Sequence, residues 1–232
     1  MRYDLVVFVA LAAVILLVIH RKNQARVKAE RGAMFNGCLS LLENYKVTQD
    51  HVYFPILTGR YKGYDIKLEP IADHAAFRTI PSLWLLATVW RDVPFDGIVD
   101  FLVRPRNTEF YSPSSRLEVD IKIPDGWPQN ATLRTNDPEH MPPMELLSPH
   151  MDMFEDPRTK ELLVTPRGVR IVYQADAGVR AYYMVLRQCR FENLELTPEL
   201  VSNLLERAIA IHRDLTSKRP NVGSEHHETL AR

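Results

Sequence analysis

An uninterrupted apolar stretch at the start of the sequence constrains this chain more than any other feature. From Leu5 to Ile19 there is no charged residue, glycine or proline. With Tyr3 and His20 as flanking residues, the stretch covers about 18 residues, or roughly 27 Å of α-helix, which just spans the hydrocarbon core of a bilayer. We therefore predict a transmembrane anchor, whose apolar residues are Leu5, Val6, Val7, Phe8, Leu11, Val14, Ile15, Leu16, Leu17, Val18 and Ile19.

A cleaved signal peptide is the competing interpretation of this stretch. The apolar region of a signal peptide is typically shorter, and a small-x-small cleavage site follows it. Here a basic and polar sequence, HRKNQ at residues 20–24, follows instead. The sequence therefore favours an uncleaved signal anchor in a single-pass membrane protein, with the anchor and a basic juxtamembrane segment in residues 1–31.

The charges on the two sides of the stretch predict its orientation. Arg2 and Asp4 precede the apolar residues, whereas Glu30 alone opposes the cations that follow. Those juxtamembrane cations are Arg21, Lys22, Arg26, Lys28 and Arg31. Because flanking cations tend to stay in the cytoplasm, we expect the N-terminus outside and the folded domain in the cytosol.

The composition of the chain predicts an ordinary folded domain after the anchor. The hydrophobic fraction of 46% and the charged fraction of 25% are typical of globular proteins. Lys+Arg and Asp+Glu number 29 each, so no nucleic-acid partner is expected from net charge. Cys38 and Cys189 lack disulfide or zinc-ligand spacing, and buried reduced thiols are expected.

Changes in hydrophobic period predict an α+β domain over residues 32–215, with a mainly antiparallel sheet packed by helices. Apolar residues at three- and four-residue steps predict a helix over residues 32–47, as a continuation of the anchor helix. Thr197, Pro198 and Glu199 are typical of a helix start, and an apolar helical face follows them. The polar residues 216–232 predict a disordered tail.

Apolar runs and alternation with a period of two predict the strands. One hairpin is expected from residues 52–57 and 64–70, around a glycine-closed loop at 59–63. A second is expected from residues 161–165 and 169–174, around a type I turn at 165–168. Further strands are expected at 83–90, 98–103, 117–123 and 181–188, and the alternation is most regular at 117–123.

The order helix, hairpin, strand occurs twice in this scheme, near residue 34 and again near residue 149. An internal duplication would explain the repeated order. The two halves share little residue identity, so a coincidence of common elements is an equally open interpretation.

The motifs of well-known catalytic and cofactor sites are missing from the sequence. It contains no G-x-G-x-x-G or P-loop after a predicted strand, no G-x-S-x-G and no H-E-x-x-H. The adjacent acids Glu155 and Asp156 precede Pro157, which is typical of a turn, and Asp73-His74 lies in a predicted loop. No catalytic residue and no cofactor are therefore expected.

The one compositional anomaly is a segment rich in methionine, histidine and proline at residues 140–154. Thioether sulfur and imidazole are suited to Cu(I), so this segment holds the candidate metal ligands. Methionine also fills irregular core gaps and supplies adaptable partner surfaces, so packing and partner binding are the other two interpretations. The residues concerned are His140, Met141, Met144, His150, Met151 and Met153.

Together these patterns predict a membrane-anchored, non-enzymatic accessory or scaffold module. It would contact lipid through the N-terminal helix, and bind a protein partner in a membrane complex, or itself, through exposed sheet edges or the segment 140–154. A membrane-tethered copper-handling protein is the alternative hypothesis. An enzyme whose site is assembled from scattered residues is the third.

Reporter fusions test the predicted orientation. A fluorescent protein fused to the C-terminal side of the domain should fluoresce, and a phosphatase fused there should be inactive, because the flanking cations hold that side in the cytosol. The measurement is the ratio of the two reporter signals in intact cells. An active phosphatase with a dark fluorescent fusion would place the domain on the opposite side and would favour the copper hypothesis.

Overall fold

The computed structural model describes residues 3–73, 80–186 and 189–217. Its α-helices are α1 (Tyr3–Gly32), α2 (Met144–Leu147), α3 (Arg180–Leu186) and α4 (Pro198–Ser217). Its strands are β1 (Glu43–Thr48), β2 (Ile56–Tyr61), β3 (Tyr64–Ala72), β4 (Ser82–Trp90), β5 (Val99–Val103), β6 (Val119–Asp120), β7 (Ala131–Thr135), β8 (Thr159–Thr165) and β9 (Gly168–Ala177). Short 3-10 helices occupy Ala33–Leu41, Ser114–Arg116 and Ser148–Glu155.

The nine strands form an antiparallel sheet in the order β1-β2-β3-β4-β9-β8-β5-β7-β6. Together with the helices, the sheet gives the predicted α+β fold. By its contacts, the chain divides into two compact units. Among the described residues, the first unit contains those up to Thr88 and those from Val172 to Leu205, and the second contains Val89–Ile171 and those from Glu206 onward.

Helix α1 is a continuous helix of 30 residues, long and apolar enough to cross a membrane. Its most apolar stretch has a mean hydropathy of 1.9, and none of that stretch is buried in the protein. Phe8 and Leu16, for example, are 68% and 66% exposed. By length and composition alone, a signal sequence meets the same criterion. An apolar surface of this extent is stable in lipid rather than in water.

The helix predicted over residues 32–47 is shorter in the structure. As expected, α1 continues through the polar juxtamembrane residues to Gly32, and a 3-10 helix follows to Leu41. Residues 43–48 then form β1 and not the end of a helix. Met34 and Cys38 are buried as the helical spacing predicts, but Tyr45, which extended that spacing, lies exposed on the strand.

The first predicted hairpin is confirmed with shifted bounds. Its first strand, β2, begins only at Ile56, and its loop is the two-residue turn Lys62-Gly63. Both turn residues have positive φ, 49° and 80°, which gives the primed turn that matches the twist of the strands. Buried and more exposed residues alternate along β3 as predicted, and the buried ones include Tyr64, Ile66 and Leu68.

The apolar runs at 83–90 and 98–103 form buried strands, as predicted. β4 is buried except at its last residue, and every residue of β5 is buried. In the second unit β5 lies between β7 and β8, with Phe101 opposite Leu133 and Leu162. The Phe101 ring makes edge contacts with Trp127 and Phe154, each at 5.1 Å between ring centroids. These side chains form the core of the second unit.

The alternation at residues 117–123 produces only the two-residue strand β6, at the edge of the sheet. Leu117 is buried, and Glu118, Asp120 and Lys122 are exposed, as predicted. The remaining inward residues, Val119, Ile121 and Ile123, are half-buried and not buried as expected. A strand at an edge has a neighbouring strand on one side only, so its inward side chains are less covered.

The second predicted hairpin is confirmed, with β8 and β9 joined by Pro166-Arg167. Arg167 N–H donates a hydrogen bond to Thr165 Oγ1 at 3.3 Å, which supports the turn. Gly168 is required at the start of β9, because its φ is 150° and a Cβ there would overlap with the carbonyl oxygen of Val89.

The strand predicted at residues 181–188 is wrong over its described part, because Arg180–Leu186 form helix α3, and residues 187–188 lie outside the described residues. Tyrosine and valine in this run favour strands, whereas alanine and methionine favour helices, so intrinsic propensity does not decide. Burial excludes a core strand, since Met184 and Val185 are exposed. In the order proposed as a duplication, a strand therefore follows the first hairpin and a helix follows the second.

Helix α4 begins as predicted, since Leu200 N–H donates to Thr197 Oγ1 at 3.3 Å in the expected N-terminal cap. It continues to Ser217, past the predicted end of the domain at residue 215. His74 and residues 218–232, which include most of the predicted tail, lie outside the described residues. The buried face of α4 contains Val201, Leu204, Leu205, Ala208, Ile209, Ile211, His212 and Leu215.

Alanine substitutions at two glycines distinguish the stability cost of a close backbone approach from the cost of backbone strain alone. Gly126 has φ 86° and nothing within 4 Å of a Cβ position, so Gly126→Ala should destabilise the protein by about 1–2 kcal/mol, the cost of the left-handed conformation. Gly168→Ala should destabilise it by more, because the added methyl group must also displace Val89. The measurement is the free energy of unfolding of the full-length protein in detergent. Equal losses in the two variants would contradict the close approach at Gly168.

Candidate functional site

The juxtamembrane part of α1 is bound directly to the first unit. Gln49 Nε2 donates hydrogen bonds to Lys28 O at 3.0 Å and to Tyr53 O at 2.9 Å. About one turn further along α1, the Arg31 guanidinium donates to Val52 O at 2.6 Å. Residues 49–53 therefore hold two successive turns of the helix after it leaves its apolar stretch.

The 3-10 helix that follows α1 lies in the core of the first unit. Met34 and Cys38 are both 0% exposed, and Phe35 is 1% exposed. Met34 O accepts a hydrogen bond from Leu196 N–H at 3.0 Å, and Cys38 Sγ donates to Leu196 O at 3.2 Å. Helix α1 thus continues into the domain core without an intervening linker.

A cleft of about 620 Å³ lies where α1 meets residues 189–195. Phe54 and Phe191 contribute an apolar surface, with ring centroids 6.1 Å apart. The lining also includes charged residues of both signs: Arg26, Arg31, Arg190, Glu30, Glu192 and Glu195. The cleft therefore combines aromatic surface with groups that suit a polar or charged ligand.

This cleft begins close to the end of the apolar part of α1. Asn23, which lines it, follows Ile19 by about 6 Å along the helix axis, and Arg26 follows by about 10 Å. Lipid headgroups occupy roughly 5–8 Å on each side of the hydrocarbon core. When α1 spans a bilayer, the end of the cleft at Asn23 therefore lies at the level of the headgroups, and the part lined by Arg26, Glu30 and Arg31 extends beyond them.

The opposite wall of the cleft includes α3. Tyr182 lines the cleft, and the Arg190 guanidinium lies over its ring at 4.7 Å from the centroid. Val179 N–H donates to Arg190 O at 2.8 Å, which joins the start of α3 to this wall. Burial raises the pKa of the Cys189 thiol to about 11, so Cys189 in this cleft is not an activated nucleophile.

The two histidines of the segment 140–154 are bound to different carboxylates. His140 Nδ1 lies 2.7 Å from Asp137 Oδ2 at the protein surface, and this hydrogen bond raises the pKa of His140. His150 is buried, and its Nε2 lies 2.9 Å from Asp214 Oδ2 on α4. Among the described residues, no group of three or more His, Cys, Asp or Glu side chains is placed to hold a metal ion.

The methionines of this segment differ in burial and in local structure. Met151 is buried, whereas Met141, Met144 and Met153 are half-buried. Met141 ends a turn that approaches Gly97 closely, since a Cβ on Gly97 would lie 2.8 Å from Met141 N. Met144 begins α2, and the other two lie on the 3-10 helix Ser148–Glu155. Copper binding by these residues stays a prediction.

The same segment binds α4 within the second unit. The Arg207 guanidinium makes a bidentate pair with Asp152, in which both N···O distances are 2.9 Å. The His150–Asp214 contact lies two turns further along α4. A bidentate pair fixes orientation as well as distance. Residues 150–152 therefore have a structural role in holding α4.

A buried acid pair, which the sequence analysis missed, lies in the second unit. Asp100 on β5 and Glu161 on β8 are both 0% exposed. Ser112 Oγ donates to Asp100 Oδ2 at 3.1 Å, and Arg170 donates to Glu161 Oε2 at 3.0 Å. Burial, the charge of Glu161 and a hydrogen bond with Glu161 raise the pKa of Asp100 to about 8. Asp100 is therefore protonated at neutral pH.

The chain between β5 and β6 covers this acid pair. Arg170 also donates to Tyr111 O at 3.1 Å, next to Ser112. On the same stretch of chain, Glu109 pairs with the buried Lys160 at 2.9 Å. The charges of the acid pair and Arg170 cancel, because one acid is neutral, the other is a carboxylate and the guanidinium is positive. This balance lowers the free-energy cost of burying the three groups.

The sequence did contain a signal for the acid pair. Asp100 interrupts the apolar run 98–103, and Glu161 directly precedes Leu162-Leu163-Val164. An acid inside a buried strand needs either a partner for its charge or a proton. Its partners Ser112 and Arg170 come from other parts of the chain, so the sequence pattern did not identify them.

Removing the titratable acid tests the raised pKa of Asp100. Folded wild-type protein keeps the Asp100 proton up to about pH 8, whereas the unfolded chain loses it near about pH 4. This contribution to stability should therefore be complete below about pH 4 and decline by up to about 1.4 kcal/mol per pH unit until about pH 8. Asp100→Asn keeps the shape and a donor group, so it should gain stability relative to wild type across that interval.

The measurement is the free energy of unfolding of both proteins at several pH values between those limits. Asp125→Asn, which changes an exposed acid in the same unit, is the matched control and should run parallel to wild type. A difference between wild type and Asp100→Asn that does not vary with pH would contradict the raised pKa.

No protein-family model matches the sequence, and no curated protein matches it. Among solved structures, the chain is similar to the crystal structure of the mycobacterial trehalose monomycolate transport factor A, TtfA. The two sequences are 8% identical, the TM-score is 0.33, and the match covers 79% of this chain and 81% of that chain. A similarity at this TM-score carries no argument about function.

Proposed function

We propose that this protein is a single-pass, membrane-anchored accessory module, without catalytic activity of its own, that binds a protein partner in a membrane complex. One observation carries the proposal. The apolar part of α1 is exposed, and the same helix continues unbroken to Gly32 and into the core of the first unit. A signal peptide has no need of such contacts, so the continuity supports an uncleaved anchor.

The proposed side of the membrane is the cytosol. The cations that follow the apolar stretch, beginning with Arg21 and Lys22, lie exposed on α1 at the level of the lipid headgroups. Cations in this position favour the cytoplasmic side. The free thiol of the fully buried Cys38 is consistent with a reducing compartment.

The proposed partner surface is the edge strand β1. All six of its residues are exposed, and β1 is the first strand in the sheet order, with β2 as its neighbour. Tyr45 and Val47 are 49% and 39% exposed there. An edge strand offers backbone N–H and C=O groups to a strand of a partner, and alternate side chains give selectivity.

Irregular pairing of β1 supports a selective role for this edge. The register between β1 and β2 shifts between Glu43 and Lys46, and Asn44 has a φ of 49°. A bulge of this kind, together with an exposed lysine, discourages indiscriminate strand pairing. A partner for β1 must therefore match a bent strand.

The chemistry of the described titratable groups supports a non-enzymatic role. Cys189 in the cleft stays a thiol, and the acid pair Asp100–Glu161 is covered by chain and holds its proton at neutral pH. Neither arrangement offers an activated group to a substrate.

Photo-crosslinking in native membranes tests the proposed partner surface. A photoreactive amino acid in place of Tyr45 in the full-length chain should give one abundant crosslinked product, because the partner strand lies against β1. The same amino acid in place of Lys122, which is exposed near β6, is the matched control and should give none. The measurement is mass spectrometry of the purified products.

Two results would change the proposal. Similar products from both positions, or no product from Tyr45, would contradict a partner at β1. A product that joins two copies of this chain would replace the foreign partner by self-association through the same strand.

A further inference from the structure

Two large apolar side chains of helix α3 are exposed to solvent. Val185 is 79% exposed, the highest value for any large apolar residue in the described part of the chain, and the adjacent Met184 is 58% exposed. Ile80, at 37% exposure, lies beside the start of α3, since a Cβ on Gly178 would be 3.6 Å from Ile80 Cγ2. Exposed apolar side chains are therefore found both on α3 and beside its start.

The composition of α3 is typical of a helix at a lipid–water boundary. Its sequence, RAYYMVL, joins an exposed arginine and two half-buried tyrosines to these apolar residues. Tyrosine rings favour the headgroup level, because one end of the side chain is apolar and the other is polar. Arginine places its charge among lipid phosphates while its stem lies along apolar surface.

The position of α3 agrees with that composition. Tyr182 lines the cleft that α1 contributes to from Asn23 to Ala33, and the nearer end of this stretch begins about 6 Å along the helix axis beyond the apolar residues. The contacts of Lys28 and Arg31 with residues 49–53 hold α1 in place beside this wall. The depth of α3 relative to the membrane therefore follows from the depth of α1.

We propose that α3 is a second membrane contact, an interfacial helix whose Met184 and Val185 insert among the headgroups of a bilayer that contains anionic lipid. The inference rests on the proposed function, because only a membrane-spanning α1 places α3 at this level. Exposed Arg180 and the juxtamembrane cations of α1 supply the charge that anionic headgroups attract. Two contacts, the span and α3, then fix how the first unit faces the membrane.

Fluorescence quenching of the full-length protein in lipid nanodiscs tests this inference. The discs contain phosphatidylcholine and phosphatidylglycerol, with or without bromine near the top of the acyl chains. An environment-sensitive fluorophore is attached to Val185→Cys, Val47→Cys or Leu16→Cys, each in a Cys189→Ser background. Cys38 is 0% exposed and is not labelled in the folded protein.

Bromine should reduce the fluorescence of the label at Val185 roughly twofold, because side chains of interfacial helices lie about 5–10 Å into the boundary region. The label at Val47, an exposed apolar position on β1 of the same unit, should be unaffected. The label at Leu16 reports on the span and should be quenched in every case. Adding Met184→Asp to Val185→Cys should lower the quenching towards the level at Val47.

The three positions separate the two possible failures. An unquenched label at Leu16 would show that α1 is not in the bilayer, and the proposed function would fail together with this inference. A quenched label at Leu16 with an unquenched label at Val185 would leave the anchor in place and overturn the interfacial role of α3 alone. Equal quenching at Val185 and Val47 would also overturn that role, since it would reflect the fluorophore and not the helix.

Discussion

A helix that crosses a bilayer must satisfy its own backbone hydrogen bonds, so it cannot end or turn while it is in lipid. Helix α1 meets this constraint and then continues as a helix to Gly32, well past its apolar stretch. The contacts of Gln49 with Lys28 and of Val52 with Arg31 bind that extension to the first unit. For the proposed anchor, the level of the cleft, of α3 and of β1 relative to the membrane therefore depends on this one helix.

Local signals predicted most of the fold. The period of two gave β3, continuous apolar runs gave β4 and β5, and the cap at Thr197 gave the start of α4. Two segments failed for a common reason. Tyr45 fits a helical spacing and α3 contains strand formers, but in both places the outcome depends on which surfaces the rest of the chain covers. A short window of sequence carries no information about which of its side chains the rest of the chain buries.

The candidate sites likewise divide into those that depend on neighbouring residues and those that depend on contacts between distant parts of the chain. The long apolar helix and the cations that follow it depend on neighbouring residues, so the sequence located them. The segment 140–154 was visible from its composition, but its contacts with Asp137 and Asp214 depend on where α4 lies. The acid pair was missed because Asp100 and Glu161 are 61 positions apart and meet only when β5 and β8 pair. Each partner taken alone resembles an ordinary strand residue.

The firm attachment of α1 has a mechanical consequence. A hydrophobic stretch of roughly 27 Å stands upright in a bilayer of about that thickness, tilts in a thinner one, and in a thicker one draws in the lipid around Arg21 and Lys22. In a protein with a flexible linker next to the membrane, the linker would absorb such changes in helix tilt. Here the helix is bound at Lys28 and Arg31 and is followed directly by the buried Met34, so it has no flexible linker. For the proposed membrane-spanning α1, the thickness of the bilayer is thereby converted into the inclination of β1 towards its surroundings.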